Sequence, residues 1–107
     1  MQQLTPQQLA DWLADPSRAK PVMLDVREPW EFEICRIAGS VHIPMASVPA
    51  RKDELDPDAD TVVVCHHGAR SFQVCVLLEA AGFSRVFNLS GGVDGWAAQV
   101  ERGMPQY

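Results

Sequence analysis

Short apolar runs alternate along this chain with segments whose apolar residues recur at helical spacing. Four of these runs predict β-strands, at residues 22–26, 41–43, 61–65 and 86–89. The clearest is Thr61-Val62-Val63-Val64-Cys65, a continuous run rich in β-branched residues. The runs are apolar throughout instead of alternating with polar residues, which is typical of strands buried on both faces of a parallel sheet.

Helical segments are predicted between the strands. Thr5 can cap a helix that begins at Pro6 and runs to Ala14, with Gln8 completing a capping box. Further helices are expected at 28–32, within 46–55, at 70–81 and at 93–100. Gly82 is placed to end the helix at 70–81. The alternation of strands and helices predicts an α/β fold, with a parallel sheet covered by helices on both faces. The length of 107 residues fits a single domain spanning residues 1–107.

Composition narrows the classes of function. Hydrophobic residues make up 47% of the chain and charged residues 21%, as in ordinary globular proteins. The formal net charge of -5, with no cluster of Lys or Arg, argues against nucleic acid as a partner. No apolar run approaches membrane-spanning length and no leader is evident at Met1, so no membrane association and a cytoplasmic location are expected.

The three cysteines predict reduced thiols. Cys35, Cys65 and Cys75 are odd in number and lack Cys-x-x-Cys spacing, which argues against a disulfide framework and a four-cysteine zinc site. Cys75 lies within the apolar helix predicted at 70–81, so we expect it to be a buried core thiol.

Cys65 has the position of a nucleophile. It ends the best strand, directly before the best helix, and ligands of open parallel sheets bind beyond the carboxyl ends of the strands. Gly68 and Ala69 let successive backbone N–H groups point inward, which favours a bound anion and a thiolate. Arg70 adds a positive charge and Ser71 a hydroxyl. A lone cysteine at a strand end is more often a small buried apolar residue, but the order strand, Cys, Gly, Arg, helix favours catalysis.

The loop also resembles a known family. Residues Cys65-His66-His67-Gly68-Ala69-Arg70-Ser71 are similar to the active-site loop of rhodanese domains. Three further segments resemble motifs of that family: 24–28 with Glu31-Phe32, 37–44, and 88–92 followed by Trp96, Gly103 and Pro105. The four motifs occur in order and together cover nearly the whole chain.

The resemblance implies a five-stranded parallel sheet and a sulfurtransferase activity. Cys65 would take sulfane sulfur from a small anionic donor, such as thiosulfate or a persulfide, and hold it as a persulfide. The residues His66, His67, Gly68, Ala69, Arg70 and Ser71 would line the anion-binding site. A thiol, a protein thiol among the candidates, or cyanide would then accept the sulfur, and neither a metal nor a cofactor is needed.

Two alternatives remain within the same fold. Phosphatase-type members and arsenate reductases have a loop one residue longer, whereas four residues separate Cys65 from Arg70 here, which favours sulfur. A binding or regulatory module without turnover is the other alternative. The intact Cys65, Gly68 and Arg70 argue against it.

Several polar residues have more than one interpretation. His66 and His67 are better explained as rim residues than as metal ligands, because adjacent histidines cannot easily share one metal with Cys65. Asp25 and Arg27, at the end of a strand, form either a support for the Cys65 loop or a structural ion pair, and both can hold. Cys35-Arg36 stands where the family often has Gly-His, and the sequence assigns neither residue a role.

Overall fold

Five parallel strands form one sheet in the computed structural model, which describes all residues 1–107. The strands are β1 (Gln2–Leu4), β2 (Val22–Asp25), β3 (Val41–His42), β4 (Thr61–Val64) and β5 (Val86–Leu89). Their order in the sheet is β1-β5-β4-β2-β3, so β4 is the central strand. The predicted α/β fold with a parallel five-stranded sheet is confirmed.

Four α-helices connect the strands and a fifth follows β5. They are α1 (Pro6–Ala14), α2 (Pro29–Ile34), α3 (Val48–Arg51), α4 (Ala69–Ala80) and α5 (Gly92–Gln99). The Thr5 side chain accepts a hydrogen bond from the Gln8 N–H while the Gln8 side chain accepts one from the Thr5 N–H, so the predicted capping box is present. No helix has both the length and the apolar character needed to cross a membrane.

The strand β1 is absent from the hydrophobic pattern. It lies at one edge of the sheet and pairs only with β5, with Gln2 and Gln3 exposed. An edge strand needs hydrogen bonds along one side only and can carry polar side chains, so the pattern that marks buried strands does not reveal it. Only the family resemblance implied a fifth strand.

The short helix expected within 46–55 is present as α3, and 3₁₀ turns flank it on both sides. The segment forms a 3₁₀ turn at Met45–Ser47, the single-turn helix α3, and a second 3₁₀ turn at Lys52–Glu54. Pro49 lies in the first turn of α3. Because proline has no N–H, it suits the first turn of a helix, where that donor would have no partner within the helix.

The core lies on both faces of the sheet, and β4 is buried along its whole length. Val62 and Val64 face one apolar cluster with α1 and α5, which contribute Trp12 and Trp96. Val63 and Cys65 face the other cluster, to which α4 contributes Val74, Cys75 and Leu78. Burial on both faces explains why the β4 sequence is apolar without alternation. It also fixes Cys65 at the carboxyl end of the central strand.

Candidate active site around Cys65

Cys65 follows the last residue of β4, and only 1% of its surface is exposed. Because all five strands are parallel, their carboxyl ends meet at one edge of the sheet. Asp25 of β2 and Asn88 of β5 lie near the same edge as Cys65. Cys65 therefore lies at the carboxyl end of the sheet, where the sequence analysis expected it.

The loop after Cys65 turns back at Gly68. Gly68 has a φ of +108°, which glycine adopts without strain, and α4 begins at the next residue. The N–H of Gly68 donates to Sγ of Cys65 at 3.0 Å. The sulfur thus lies against a backbone donor and near the N-terminus of the 12-residue helix α4, where the helix dipole favours negative charge.

The N-terminus of α5 fixes the other side of the loop. The N–H of Val93 donates to the carbonyl of Cys65 at 2.9 Å, and the N–H of Asp94 donates to the carbonyl of His66 at 3.1 Å. In a trans peptide the C=O and N–H groups point in opposite directions. The N–H groups of His66 and His67 therefore point away from α5.

This contact requires glycine at the start of α5. Gly92 has a φ of +57°, and a Cβ placed on it would lie 2.3 Å from the carbonyl oxygen of Cys65. Any side chain there would push α5 and the loop apart. The sequence analysis placed Gly92 in a family motif only; its function here is to allow two backbone segments to touch.

A buried polar chain runs from Cys65 across the sheet. Sγ of Cys65 lies 3.3 Å from Oγ of Ser71, and Ser71 in turn donates to Oδ1 of Asn88. The Asn88 amide donates to the carbonyl of Gly68 at 3.2 Å and to Oε1 of Gln3 at 3.1 Å. Ser71 was among the predicted residues, whereas Asn88 was not. The signal for Asn88 was available, since it is the one polar residue of the apolar strand β5.

Arg70 is bound to Glu31. Its two terminal nitrogens donate to the two carboxylate oxygens of Glu31 at 2.7 and 2.8 Å. Only 3% of the Glu31 side chain is exposed, against 36% for Arg70. The hydrogen bonds from Arg70 lower the pKa of Glu31 to about 2, with further help from Tyr107 and the Glu28 N–H. The pKa of Arg70 is raised by the same contact, so both groups stay charged at neutral pH.

Asp25 and Arg27 form a fully buried ion pair at 2.8 Å. Arg27 also donates to the carbonyl of Cys35 at 2.6 Å and to the hydroxyl of Tyr107 at 3.0 Å. The structure gives the pair no hydrogen bond to residues 65–71. Asp25 and Arg27 are therefore a structural ion pair that reaches the loop through Tyr107.

Tyr107 joins these groups, and the sequence analysis did not single it out. Its hydroxyl donates to Glu31 at 2.7 Å, and its ring stacks on His66 with centroids 4.0 Å apart. Burial raises the pKa of Tyr107 to about 12, so the hydroxyl keeps its proton at neutral pH. No hydrophobic periodicity or motif marks this residue, and only the fold brings it to the loop.

The two histidines lie on the rim of the loop. The ring of His66 stacks between those of His67 and Tyr107. Burial, and then the neighbouring His67, lower the pKa of His66. The His67 side chain is 67% exposed, with Nδ1 3.6 Å from a carboxylate oxygen of Asp94. No three or more His, Cys, Asp or Glu side chains are grouped as a metal site would require.

The remaining thiols and Arg36 do not contact the loop through hydrogen bonds. All three cysteines are free. Cys35 is buried with its sulfur 3.6 Å from Arg27, and Arg36 lies over the ring of Phe32. Cys75 is fully buried, and burial raises its pKa to about 12, which agrees with the expected inert core thiol.

Comparison with known proteins places the chain in one family. The family model described as the rhodanese-like domain covers residues 5–99. A sulfurtransferase of Allochromatium vinosum is 40% identical over 71% of this chain and 71% of its own length. A thiosulfate sulfurtransferase, GlpE, of Pseudomonas fluorescens is 41% identical over 70% of this chain and 69% of its own length. Some other relatives are longer, and the chain matches only 26–30% of their length.

A solved structure of the same family has a similar fold. The crystal structure of a rhodanese-like domain protein from Staphylococcus aureus superposes with a TM-score of 0.81 at 31% identity. The match covers 90% of this chain and 91% of that protein.

The contact between α5 and the loop can be tested by Gly92→Ala, with Gly82→Ala as a matched control. Gly82 also has a positive φ, +98°, but no atom lies within 4 Å of an added Cβ. The free energy of unfolding of Gly82→Ala should fall by about 1 kcal/mol, from backbone strain alone. The free energy of unfolding of Gly92→Ala should fall by at least about 2 kcal/mol more, because the added Cβ collides with backbone carbonyls.

Hydrogen exchange locates the damage. The amides of Val93 and Asp94 should lose protection in Gly92→Ala and keep it in Gly82→Ala, because these amides bind the loop carbonyls. Equal losses of stability in the two variants, with both amides still protected, would contradict this account.

The Glu31–Arg70 pair makes a pH-dependent contribution to stability. The pKa of Glu31 is about 2 in the folded state and about 4.3 in an unfolded chain, so the unfolded state binds its proton more readily. The contribution, about 3 kcal/mol, is fully present above about pH 4.5 and is lost as the pH falls towards 2. Denaturant unfolding between pH 5 and 2 should therefore show a shallower pH dependence for Glu31→Gln than for the wild type.

A second ion pair supplies the control for this measurement. Glu54 pairs with Arg51 on an exposed surface, where solvent screens the charges. Glu54→Gln should leave the slope close to that of the wild type. An unchanged slope in Glu31→Gln would mean that Arg70 does not hold this carboxylate in its charged form.

Proposed function

Since this chain belongs to the rhodanese-like domain family, we propose that it is a sulfurtransferase whose nucleophile is Cys65. Its relatives from Allochromatium vinosum and Pseudomonas fluorescens are both named sulfurtransferases. The single observation that carries the proposal is the environment of Sγ of Cys65. The sulfur has a backbone N–H donor at 3.0 Å and lies at the loop between the central strand β4 and the helix α4.

The first half-reaction loads Cys65. The thiolate attacks the outer sulfur of a donor, a new S–S bond forms at Sγ, and the bond between the donor's two sulfurs breaks. With thiosulfate the leaving group is sulfite; with a persulfide it is a thiolate. No electrons are gained or lost overall, so the step needs no redox cofactor.

The second half-reaction unloads the enzyme. An acceptor thiolate or cyanide attacks the outer sulfur of the Cys65 persulfide, and the S–S bond at Sγ breaks. The acceptor leaves with the sulfur, and Cys65 returns to the thiolate. This is covalent catalysis in two displacements, in which each step creates a sulfur anion that must be stabilised.

Residues around Cys65 have separate parts in this scheme. The Gly68 N–H stabilises the sulfur anion, and Ser71 can rotate its hydroxyl from Asn88 to Sγ when the thiol loses its proton. The residues His66, His67 and Ala69 line the mouth of the loop, and Arg70 adds a guanidinium there. The physiological acceptor in this proposal is a thiol of a small molecule or a protein.

Loop length supports sulfur over phosphate chemistry. Four residues separate Cys65 from Arg70, and phosphatase-type relatives of this fold have a longer loop around a tetrahedral oxyanion. A donor's outer sulfur is a single atom and needs less room. The carboxyl end of the sheet thus suits transfer of one sulfur better than hydrolysis of a phosphate ester.

The test is mass spectrometry of the protein after exposure to thiosulfate or glutathione persulfide. The Cys65 peptide should gain one sulfur atom, and later addition of cyanide should remove it. The peptide of Cys75 should remain unmodified, because that thiol is buried with a pKa of about 12. Cys65→Ser should reduce sulfur transfer to background while the circular dichroism spectrum stays that of the wild type.

Two results would contradict the proposal. Sulfur transfer that persists in Cys65→Ser would assign the reaction to another group. Hydrolysis of p-nitrophenyl phosphate that depends on Cys65, without sulfur loading, would favour the phosphatase alternative.

A further inference from the structure

The charge of Arg70 is largely neutralised where the loop opens. Arg70 is the only Lys or Arg in the loop 65–71, and both of its terminal nitrogens are bound to Glu31. The carboxylate is buried and the oxygens lie 2.7 and 2.8 Å from those nitrogens, which leaves no room for water between them. An incoming anion therefore meets an ion pair and not a free guanidinium.

Other charges near the loop are also paired or absent. Arg27 is bound to Asp25, and any charge on His67 faces Asp94. The lowered pKa leaves His66 uncharged at neutral pH. The side chains packed around His66 on this side of the loop include Asp94 and Tyr107 and no Lys or Arg. The titratable groups there thus give this side of the loop no net positive charge.

The positive potential that remains comes from the backbone. The Gly68 N–H and the N-terminus of α4 act on Sγ of Cys65, and a helix terminus is equivalent to about half an elementary charge. That is suited to one sulfur anion. When the Cys65 thiolate attacks thiosulfate, the site must hold the thiolate and a dianion together. The reacting persulfide group of a donor brings at most one negative charge to the sulfur.

We propose that the site takes sulfur from persulfides in preference to thiosulfate, and that Glu31 sets this preference by neutralising Arg70. The inference rests on the proposed sulfurtransferase function. In the preferred step the Cys65 thiolate attacks the outer sulfur of R–S–S–H. The new S–S bond forms at Sγ, the bond between the two donor sulfurs breaks, R–S⁻ leaves, and the proton stays on the transferred sulfur.

Glu31 acts through Arg70, and Glu31→Gln separates charge from shape. Glutamine is nearly isosteric, and its amide oxygen can still accept hydrogen bonds from Tyr107 or the Glu28 N–H. The variant leaves the positive charge of Arg70 without its counter-charge. The kcat/KM for thiosulfate, whose reacting group is a dianion, should rise with this change, and the kcat/KM for a donor with a persulfide group of lower charge should change less.

The experiment measures kcat and KM for thiosulfate and for glutathione persulfide with cyanide as the common acceptor. The wild type should favour the persulfide in kcat/KM. Glu31→Gln should raise kcat/KM for thiosulfate about three- to tenfold, mainly through a lower KM, and change the persulfide value less than about twofold. If the role of Glu31 were merely structural, Glu31→Gln would lower kcat/KM for both donors together.

Glu54→Gln is the matched control. Glu54 binds Arg51 through the same two-oxygen geometry, at 2.9 and 3.0 Å, but on an exposed surface in another part of the chain. Glu54→Gln removes the same charge from the protein as Glu31→Gln does. Its kcat/KM values for both donors should equal those of the wild type, which would show that a change in overall net charge does not account for the effect at Glu31.

The double variant Glu31→Gln/Arg70→Gln provides an independent measurement if Glu31→Gln folds poorly. It removes both charges together, so its ratio of persulfide to thiosulfate kcat/KM should stay within about threefold of the wild-type ratio. A selective loss of thiosulfate activity in the double variant would mean that Arg70 binds the dianion despite Glu31, and would overturn the proposal.

The remaining outcomes are also decisive. A wild type that favours thiosulfate, or a Glu31→Gln variant with unchanged or lower thiosulfate activity, refutes the role given to Glu31 and leaves the sulfurtransferase function standing. Failure of both donors to load Cys65 refutes the sulfurtransferase function, and the donor preference with it.

Discussion

The site depends on the hydrogen bonds that the N-terminus of α5 donates to the carbonyls of Cys65 and His66. The first N–H groups of any helix lack partners within the helix and must find acceptors elsewhere. Here they find them in the loop that follows β4, so that one contact satisfies the helix and orients the loop. The contact is possible only because Gly92 lets the backbones approach. With those carbonyls held by α5, the Gly68 N–H on the other side of the loop can donate to the sulfur.

Around this backbone arrangement, each buried charge has a partner. A charged group taken out of water is costly unless it is paired, and the pairs Asp25–Arg27 and Glu31–Arg70 meet this requirement. Tyr107 hydrogen-bonds with both pairs, and its ring stacks on the loop. The pairing makes the charged groups supports for the loop, and it leaves stabilisation of the sulfur anion mainly to the backbone. The electrostatics that favour a stable fold thereby also favour donors of low charge.

Cys65 is buried at the end of the central strand β4 and yet has polar neighbours. A thiol enclosed by apolar side chains alone is inert, as Cys75 is expected to be. Cys65 packs against the core below the loop but has polar neighbours above it, the Gly68 N–H and the Ser71 hydroxyl. Asn88 orients that hydroxyl from the neighbouring strand. The difference between the two cysteines is therefore one of polar neighbours and not of burial.

The sequence alone determined the parts that depend on local patterns. Buried strands are apolar throughout, a capping box marks the start of α1, and the loop from Cys65 to Ser71 has a composition that only a few functions require. The edge strand β1, the two 3₁₀ turns that flank α3, and the partners of Arg70 could not be found in this way. The exposed residues of β1, Gln2 and Gln3, carry no hydrophobic pattern, and the contact between Arg70 and Glu31 joins residues 39 positions apart. Tyr107 is still farther along the sequence from the residues it contacts, and no local signal marks it. Which charges neutralise each other is decided by packing, because the energy of an ion pair depends on distance and burial, and both are properties of the folded chain.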